Sequence, residues 1–140
     1  SRFGFLAFHG GSLERHTDRI AARAALASGA SYYAVVQPAD FRWHIPSSRV
    51  DPADSPQLAR FLDHVEVTIS VHGYGRGGLF TTLLLGGRNR ALATHLGGHL
   101  RAALAHYEIA DELEAPLGTV KSWSRRGLIA LKKTLGDLVA

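Results

Sequence analysis

The sequence has no cysteine and no methionine in its 140 residues, and its only lysines are Lys121, Lys132 and Lys133. Without cysteine there is no disulfide framework, no thiolate metal site and no cysteine nucleophile, and the redox compartment is unreadable. Without methionine, Ser1 is not a translation start, so the sequence reads as a fragment or a processed chain. No apolar run approaches the ~18 residues of a membrane span, and no basic-then-apolar signal segment opens the chain. No membrane partner is therefore expected. Acidic residues are in the minority, 12 against 16 basic, for a formal charge of +4. At 46% apolar and 20% charged the composition is too apolar and too varied for a disordered or collagen-like chain. Its length suits one compact domain that buries roughly two-thirds of its unfolded surface.

The basic excess is uneven. Residues 1–106 hold all 8 histidines and 11 basic residues, every one an arginine. The tail carries Lys121, Arg125, Arg126, Lys132 and Lys133 with no acid among residues 121–133. Such a cluster is either a solvated helix face or a polyanion contact.

Short apolar runs alternate with helical periods along the body. Phe3 to Phe8 reads as a buried strand that ends at His9-Gly10-Gly11. Thr17 suits a helix cap before the alanine-rich DRIAARAALAS, which stops at Gly29. Further strands are expected at Tyr32–Val36, Val65–Val71 and Leu79–Leu85. Further helices are expected at Pro56–His64 and from Asn89 to about His106. This alternation predicts an α/β fold with an open, mostly parallel, twisted sheet flanked by helices. Tyr107–Leu113 fits either an edge strand or two helical turns. After Thr119, the apolar residues Val120, Trp123, Leu128, Leu131 and Leu135 fall at helical spacing. They predict a C-terminal amphipathic helix whose stripe must bury itself against the sheet or a second copy of the chain. The expected organisation is a body over 1–113 and a basic helical segment over 114–140.

His9 and His72 each end a predicted strand, and each is followed at once by glycine. In open α/β sheets ligands gather beyond the carboxyl ends of strands, where both would project. Glu14, five residues after His9, is within reach of a fold-back through Gly-Gly-Ser-Leu. Two imidazoles and a carboxylate are the ligand set of a catalytic zinc; by spacing alone the case is weak, since a strand-end histidine is more often a polar group on the rim. His44, in an irregular polar segment, is a candidate substrate contact or a plain loop residue. Arg76, in the HGYGRGG loop, is placed to fork a carboxylate. That loop lacks the Lys-Ser/Thr and the spacing of a nucleotide-binding loop. His95 and His99 stand at i and i+4 without the glutamate of an HExxH motif, which favours a helix surface.

The stretch His9-Gly10-Gly11-Ser12-Leu13-Glu14, with Thr17 and the alanine-rich helix after it, resembles the HGG-x-[IL]-E signature of the phage-type poly-γ-glutamate hydrolases. So do His44-Ile45 with Ser47, the ISVHG segment ending at His72-Gly73, and LLLGG-R-N before a helix. The resemblance runs over roughly residues 3–113 in the family's order. It implies a zinc enzyme of carboxypeptidase-like fold that cleaves γ-linked glutamate polymers, with His9, Glu14 and His72 holding the metal. The polyanionic substrate would account for the arginine-rich surface. One departure matters: the family's C-terminal Gln-Leu-Glu segment, whose glutamate resembles a general base, has no match here. The expected activity is therefore weak or absent, with loss of the proton shuttle commonly worth about 100- to 10,000-fold in rate.

The tail, residues 107–136, is similar to the end of the region 4 helix-turn-helix of extracytoplasmic-function sigma factors. That resemblance implies a recognition helix, with Lys121, Ser122, Arg125 and Arg126 contacting nucleic acid. The lysine count and the motif switch favour a joined, chimeric chain; an ordinary helix closing the sheet is the other reading.

Overall fold

The computed structural model describes residues 2–73 and 82–104, together with the backbone of Glu108–Asp111 and Thr119–Lys121. The strands are β1 (Phe3–Gly11), β2 (Ser31–Gln37), β3 (Val67–His72), β4 (Thr82–Leu85), β5 (Glu108–Asp111) and β6 (Thr119–Lys121). The helices are α1 (Thr17–Ser28), α2 (Pro56–His64) and α3 (Arg90–Ala103). The strands form one sheet in the order β2-β1-β3-β6-β4-β5. Every neighbouring pair is parallel except β4 with β6. The open, mostly parallel α/β architecture expected from the sequence is the one observed.

Strand alternation sorts the apolar side chains onto two faces. Phe5, Ala7, Ile69, Val71, Leu83 and Leu85 pack with α1 and α3 through Ile20, Ala24, Leu96 and Leu100. Leu6 packs on the other face with Leu58, Phe61 and Val65 in and beside α2. Burying a side chain such as Phe5 or Leu100, both 0% exposed, contributes roughly 1.5–3 kcal/mol. Alanine dominates the buried face of α1 (Ala21, Ala24, Ala25), so that helix lies close against the sheet.

Local signals set the boundaries. Ser55 caps α2 by accepting from the Leu58 N–H, with Pro56 in the first turn. Asn89 accepts from the Leu92 N–H at the start of α3. Gly29 ends α1 in the left-handed region, φ 64°, as glycine there costs least. The cap expected at Thr17 moves back one residue. His16 holds the N-cap position at φ 75° without a side-chain cap bond, and the Thr17 hydroxyl donates instead to the Glu14 carbonyl, 2.8 Å away.

One tail expectation is settled and another changes. The ambiguous segment is a strand, Glu108–Asp111, at the sheet edge. The helix expected to begin at Thr119 does not begin there, since Thr119–Lys121 inserts as β6 between β3 and β4. The physical reason is that the sheet's hydrogen-bonding edges compete with the helical period, and Thr119 and Val120, both β-branched, suit a strand. The rest of the predicted basic helix, including Trp123 and the apolar stripe to Leu135, lies outside the described residues.

Candidate metal centre

The register of β1 against β2 builds the site. Ala7 pairs with Ala34 but Gly10 with Val36, so β1 carries one extra residue between them. Strict alternation from Phe5 and Ala7 would send His9 to the α1/α3 face. A bulge reverses the phase and re-aims one side chain. The His9 ring then lies 5.2 Å from that of His72, which alternates in step with Ser70 on the opposite face. Gly11 completes the turn at φ 73°, where a Cβ would sit 2.2 Å from the Gln37 carbonyl oxygen. Asp18 holds the same turn by accepting from the Gly11 N–H at 3.1 Å.

Glu14 folds back as its spacing suggests, its N–H donating to the His9 carbonyl at 2.7 Å. Its carboxylate lies between the two imidazoles: Oε1 is 3.2 Å from His9 Nδ1 and Oε2 is 3.4 Å from His72 Nδ1. Oε2 also accepts from the Gly73 N–H at 2.9 Å. That approach uses the missing side chain of Gly73, because a Cβ there would come within 3.1 Å of the Glu14 Cβ. His9 and His72 are buried, 3% and 5% exposed. One donor atom from each of His9, Glu14 and His72 lies within 4.8 Å of the others.

The remaining ring nitrogens are already engaged. His9 Nε2 donates to the Ile45 carbonyl at 2.7 Å; a carbonyl only accepts, so in the neutral ring the lone pair is on Nδ1. That Nδ1 is buried and has no hydrogen-bond partner, the nearby Glu14 oxygen lying off the hydrogen-bond line. His72 Nε2 meets Ser70 Oγ at 2.8 Å and Ser47 Oγ at 3.4 Å. Both imidazoles therefore turn Nδ1 toward one carboxylate while a second group fixes each ring from behind, the usual arrangement around a metal-binding histidine. An orphaned, buried ring nitrogen next to two further nitrogen and oxygen donors fits a divalent transition ion.

The charges are coupled. Burial alone would raise the Glu14 carboxyl, but the His72 and His9 rings, the Gly73 N–H and the charge of His72 outweigh it and lower its pKa from 4.5 to about 2. Burial would lower His9; the Glu14 carboxylate and the Ile45 carbonyl outweigh that, and its pKa is raised.

Other expected residues fall as follows. His44 is exposed and lies against the triad, its ring 4.5 Å from that of His9. Arg76, Ser122, Arg125 and Arg126 lie outside the described residues. Lys121, expected to face nucleic acid, has its backbone in register with His72. His95 and His99 sit on the exposed face of α3 with their rings 4.7 Å apart, away from the triad. Sequence reasoning missed Ser70 and the Ile45 carbonyl. Ser70 had a readable signal, being two residues before His72 on the same strand face; a backbone carbonyl has none. Among the described residues, no helix is long and apolar enough to cross a membrane.

A family model described as poly-gamma-glutamate hydrolase matches residues 1–118. A bacteriophage poly-gamma-glutamate hydrolase superposes with a TM-score of 0.76 at 15% identity, over 96% of this chain and 81% of that one. The zinc-free apo form of YndL gives 0.76 at 18% identity, over 99% of this chain and 84% of that one. The N-acetylmuramoyl-L-alanine amidase AmiC2 of Nostoc punctiforme gives 0.60 at 13% identity, over 98% and 94%. At such identities these structures speak to the fold alone. No curated protein matches the sequence. With the family model spanning most of its length, the chain belongs to the poly-gamma-glutamate hydrolase family.

Proposed function

We propose that this chain is a zinc-dependent amide hydrolase directed at γ-linked glutamate polymers, with metal binding stronger than turnover. The observation that carries the reading is the convergence of His9 Nδ1, Glu14 and His72 Nδ1 within 4.8 Å, with both Nε2 atoms held from behind. His9, Glu14 and His72 would hold the ion. Zinc, when bound, supplies Lewis acidity toward an amide carbonyl and toward water.

The chain's own residues do the rest. Glu14 offsets the charge of the ion and keeps the two imidazoles turned inward. The Ile45 carbonyl fixes the tautomer of His9, and the Ser70 hydroxyl orients the ring of His72. His44, exposed beside His9, is positioned to hydrogen-bond an incoming substrate, and Arg76 is the candidate fork for a substrate carboxylate. A surface whose first 106 residues carry 11 arginines and no lysine suits a polyanion. Weak turnover is expected because the carboxylate of the family's Gln-Leu-Glu segment has no counterpart in this sequence.

Metal analysis after chelator-free purification, paired with hydrolysis of poly-γ-glutamate, tests both halves. One zinc per chain, lost in His9→Ala, with slow hydrolysis is expected. Absence of zinc, unaltered by His9→Ala, overturns the reading.

A further inference from the structure

The segment between β2 and the first short turn near residue 47 brings His44 and the Ile45 carbonyl to His9, yet it has no regular structure and little burial. Phe41 is 48% exposed and Trp43 is 63% exposed, so side-chain packing does not hold it in place. The polar contacts do. The Gln37 side chain donates from Nε2 to the Trp43 carbonyl at 2.7 Å and accepts at Oε1 from the Trp43 N–H at 2.8 Å. These two bonds supply what a neighbouring strand residue would supply from its backbone. Gln37 is itself buried, 8% exposed, and its own carbonyl accepts from the Ser12 N–H at 3.0 Å. A second tie runs from Ser12 Oγ to the Phe41 carbonyl at 2.7 Å.

We infer that Gln37 is a positioning residue for the metal centre, clamping Trp43 so that the Ile45 carbonyl, two residues on, holds His9 with its Nδ1 lone pair toward Glu14. Gln37 touches neither the triad nor a substrate; it acts through the acceptor of His9. A buried glutamine bonded through both amide atoms to the backbone N–H and C=O of one residue is costly to place, since each atom must be satisfied. That expense is explicable when the peptide it fixes determines which nitrogen of a buried imidazole is free.

The inference rests on the zinc reading for its consequence, but its geometry can be tested on metal-free protein. At a pH where His9 is neutral, nitrogen-15 NMR of the wild type is expected to report an Nε2–H tautomer. Gln37→Met, of similar length without the amide, is expected to lose that preference and to weaken zinc affinity about 10- to 100-fold, as for other groups that orient metal-binding histidines. The wild-type tautomer persisting in Gln37→Met, or zinc affinity within twofold of wild type, overturns the inference. Should Gln37→Met fail to fold, amide exchange in the wild type decides: protection of the Trp43 N–H supports the clamp, and exchange at the rate of an open chain overturns it. A wild-type protein that binds no zinc overturns the zinc reading alone, and the tautomer comparison still decides the clamp.

Discussion

Glu14→Gln removes the charge of the bridging carboxylate while keeping its size, and the structure fixes what should follow in the metal-free protein. The folded carboxyl titrates at about 2 against an ordinary 4.5. At about 1.4 kcal/mol per pH unit, that gap is on the order of 3 kcal/mol of stability. Because the folded value is depressed, this contribution is fully present above about pH 4.5 and is lost as pH falls toward 2. His9 has the opposite sign. Its folded pKa is raised by Glu14 and the Ile45 carbonyl, against the opposing effect of burial. Its contribution is thus present below the ordinary histidine value and is lost as pH rises through the folded one. Wild-type apoprotein should be most stable between roughly pH 4.5 and 6.5 and should decline on both sides. Glu14→Gln should lower the melting temperature in that window by on the order of 10 °C for a chain of this size and should flatten both flanks. Thermal melts with chelator from pH 3 to 9 measure this. A variant with the wild-type pH profile would refute the argument, because the carboxylate would then not be the group that couples the two rings.

Ser70→Ala takes away the 2.8 Å partner of His72 Nε2 and should weaken zinc binding about 10- to 100-fold with little change in melting temperature; competition with a chromogenic chelator reads the difference. Gly11→Ala drives a Cβ to 2.2 Å from the Gln37 carbonyl oxygen at a left-handed φ and should cost more than about 2 kcal/mol in urea unfolding, with loss of zinc binding in whatever folds. His16→Gly relieves a left-handed residue, φ 75°, and should stabilise the chain by about 0.5 kcal/mol net of glycine's entropy, read in the same unfolding assay. Phe5→Ala empties a fully buried position between β1 and the helices and should cost about 3–5 kcal/mol, measurable as a lower urea midpoint.

Period and punctuation made most of the body legible. Pro56 and Asn89 marked helix starts, Gly29 marked a stop, and the apolar runs at Phe3–Phe8 and Val65–Val71 became the adjacent strands β1 and β3. The grouping of His9, Glu14 and His72 was legible mainly through the resemblance carried by His9-Gly10-Gly11-Ser12-Leu13-Glu14 and ISVHG, since a strand-end histidine followed by glycine is by itself a weak signal. Other features were hidden by their nature. The bulge in β1 is a property of pairing between two strands, so alternation read along one strand assigns His9 to the wrong face. The Ile45 carbonyl and the Gln37 clamp depend on a backbone path that no local pattern encodes. Thr119–Lys121 misled because a stripe at helical spacing continues beyond it, while three residues suffice to fill a gap in a sheet.

The position of β6 bears on why binding and turnover should separate in this chain. A hydrolytic centre needs donors that hold the ion and, separately, a group that carries protons at the reacting amide. On the proposed reading the first requirement would be met within β1, the turn after it and β3. On β6, the strand beside β3, the backbone position in register with His72 is Lys121. The acids on the remaining described strands, Glu108 and Asp111, both belong to β5, three strands from β3; at about 4.8 Å per strand that backbone stands roughly 14 Å away. Among the described residues, the titratable side chain lying directly against the triad is His44, whose ring touches His9 from the solvent side. An exposed imidazole on an irregular segment positions a proton far less closely than a carboxylate on a strand. On the proposed zinc reading, His9, Glu14 and His72 would hold the ion from β1, the turn after it and β3, while His44 on the irregular segment is the titratable ring beside them among the described residues, so metal affinity is expected to exceed turnover.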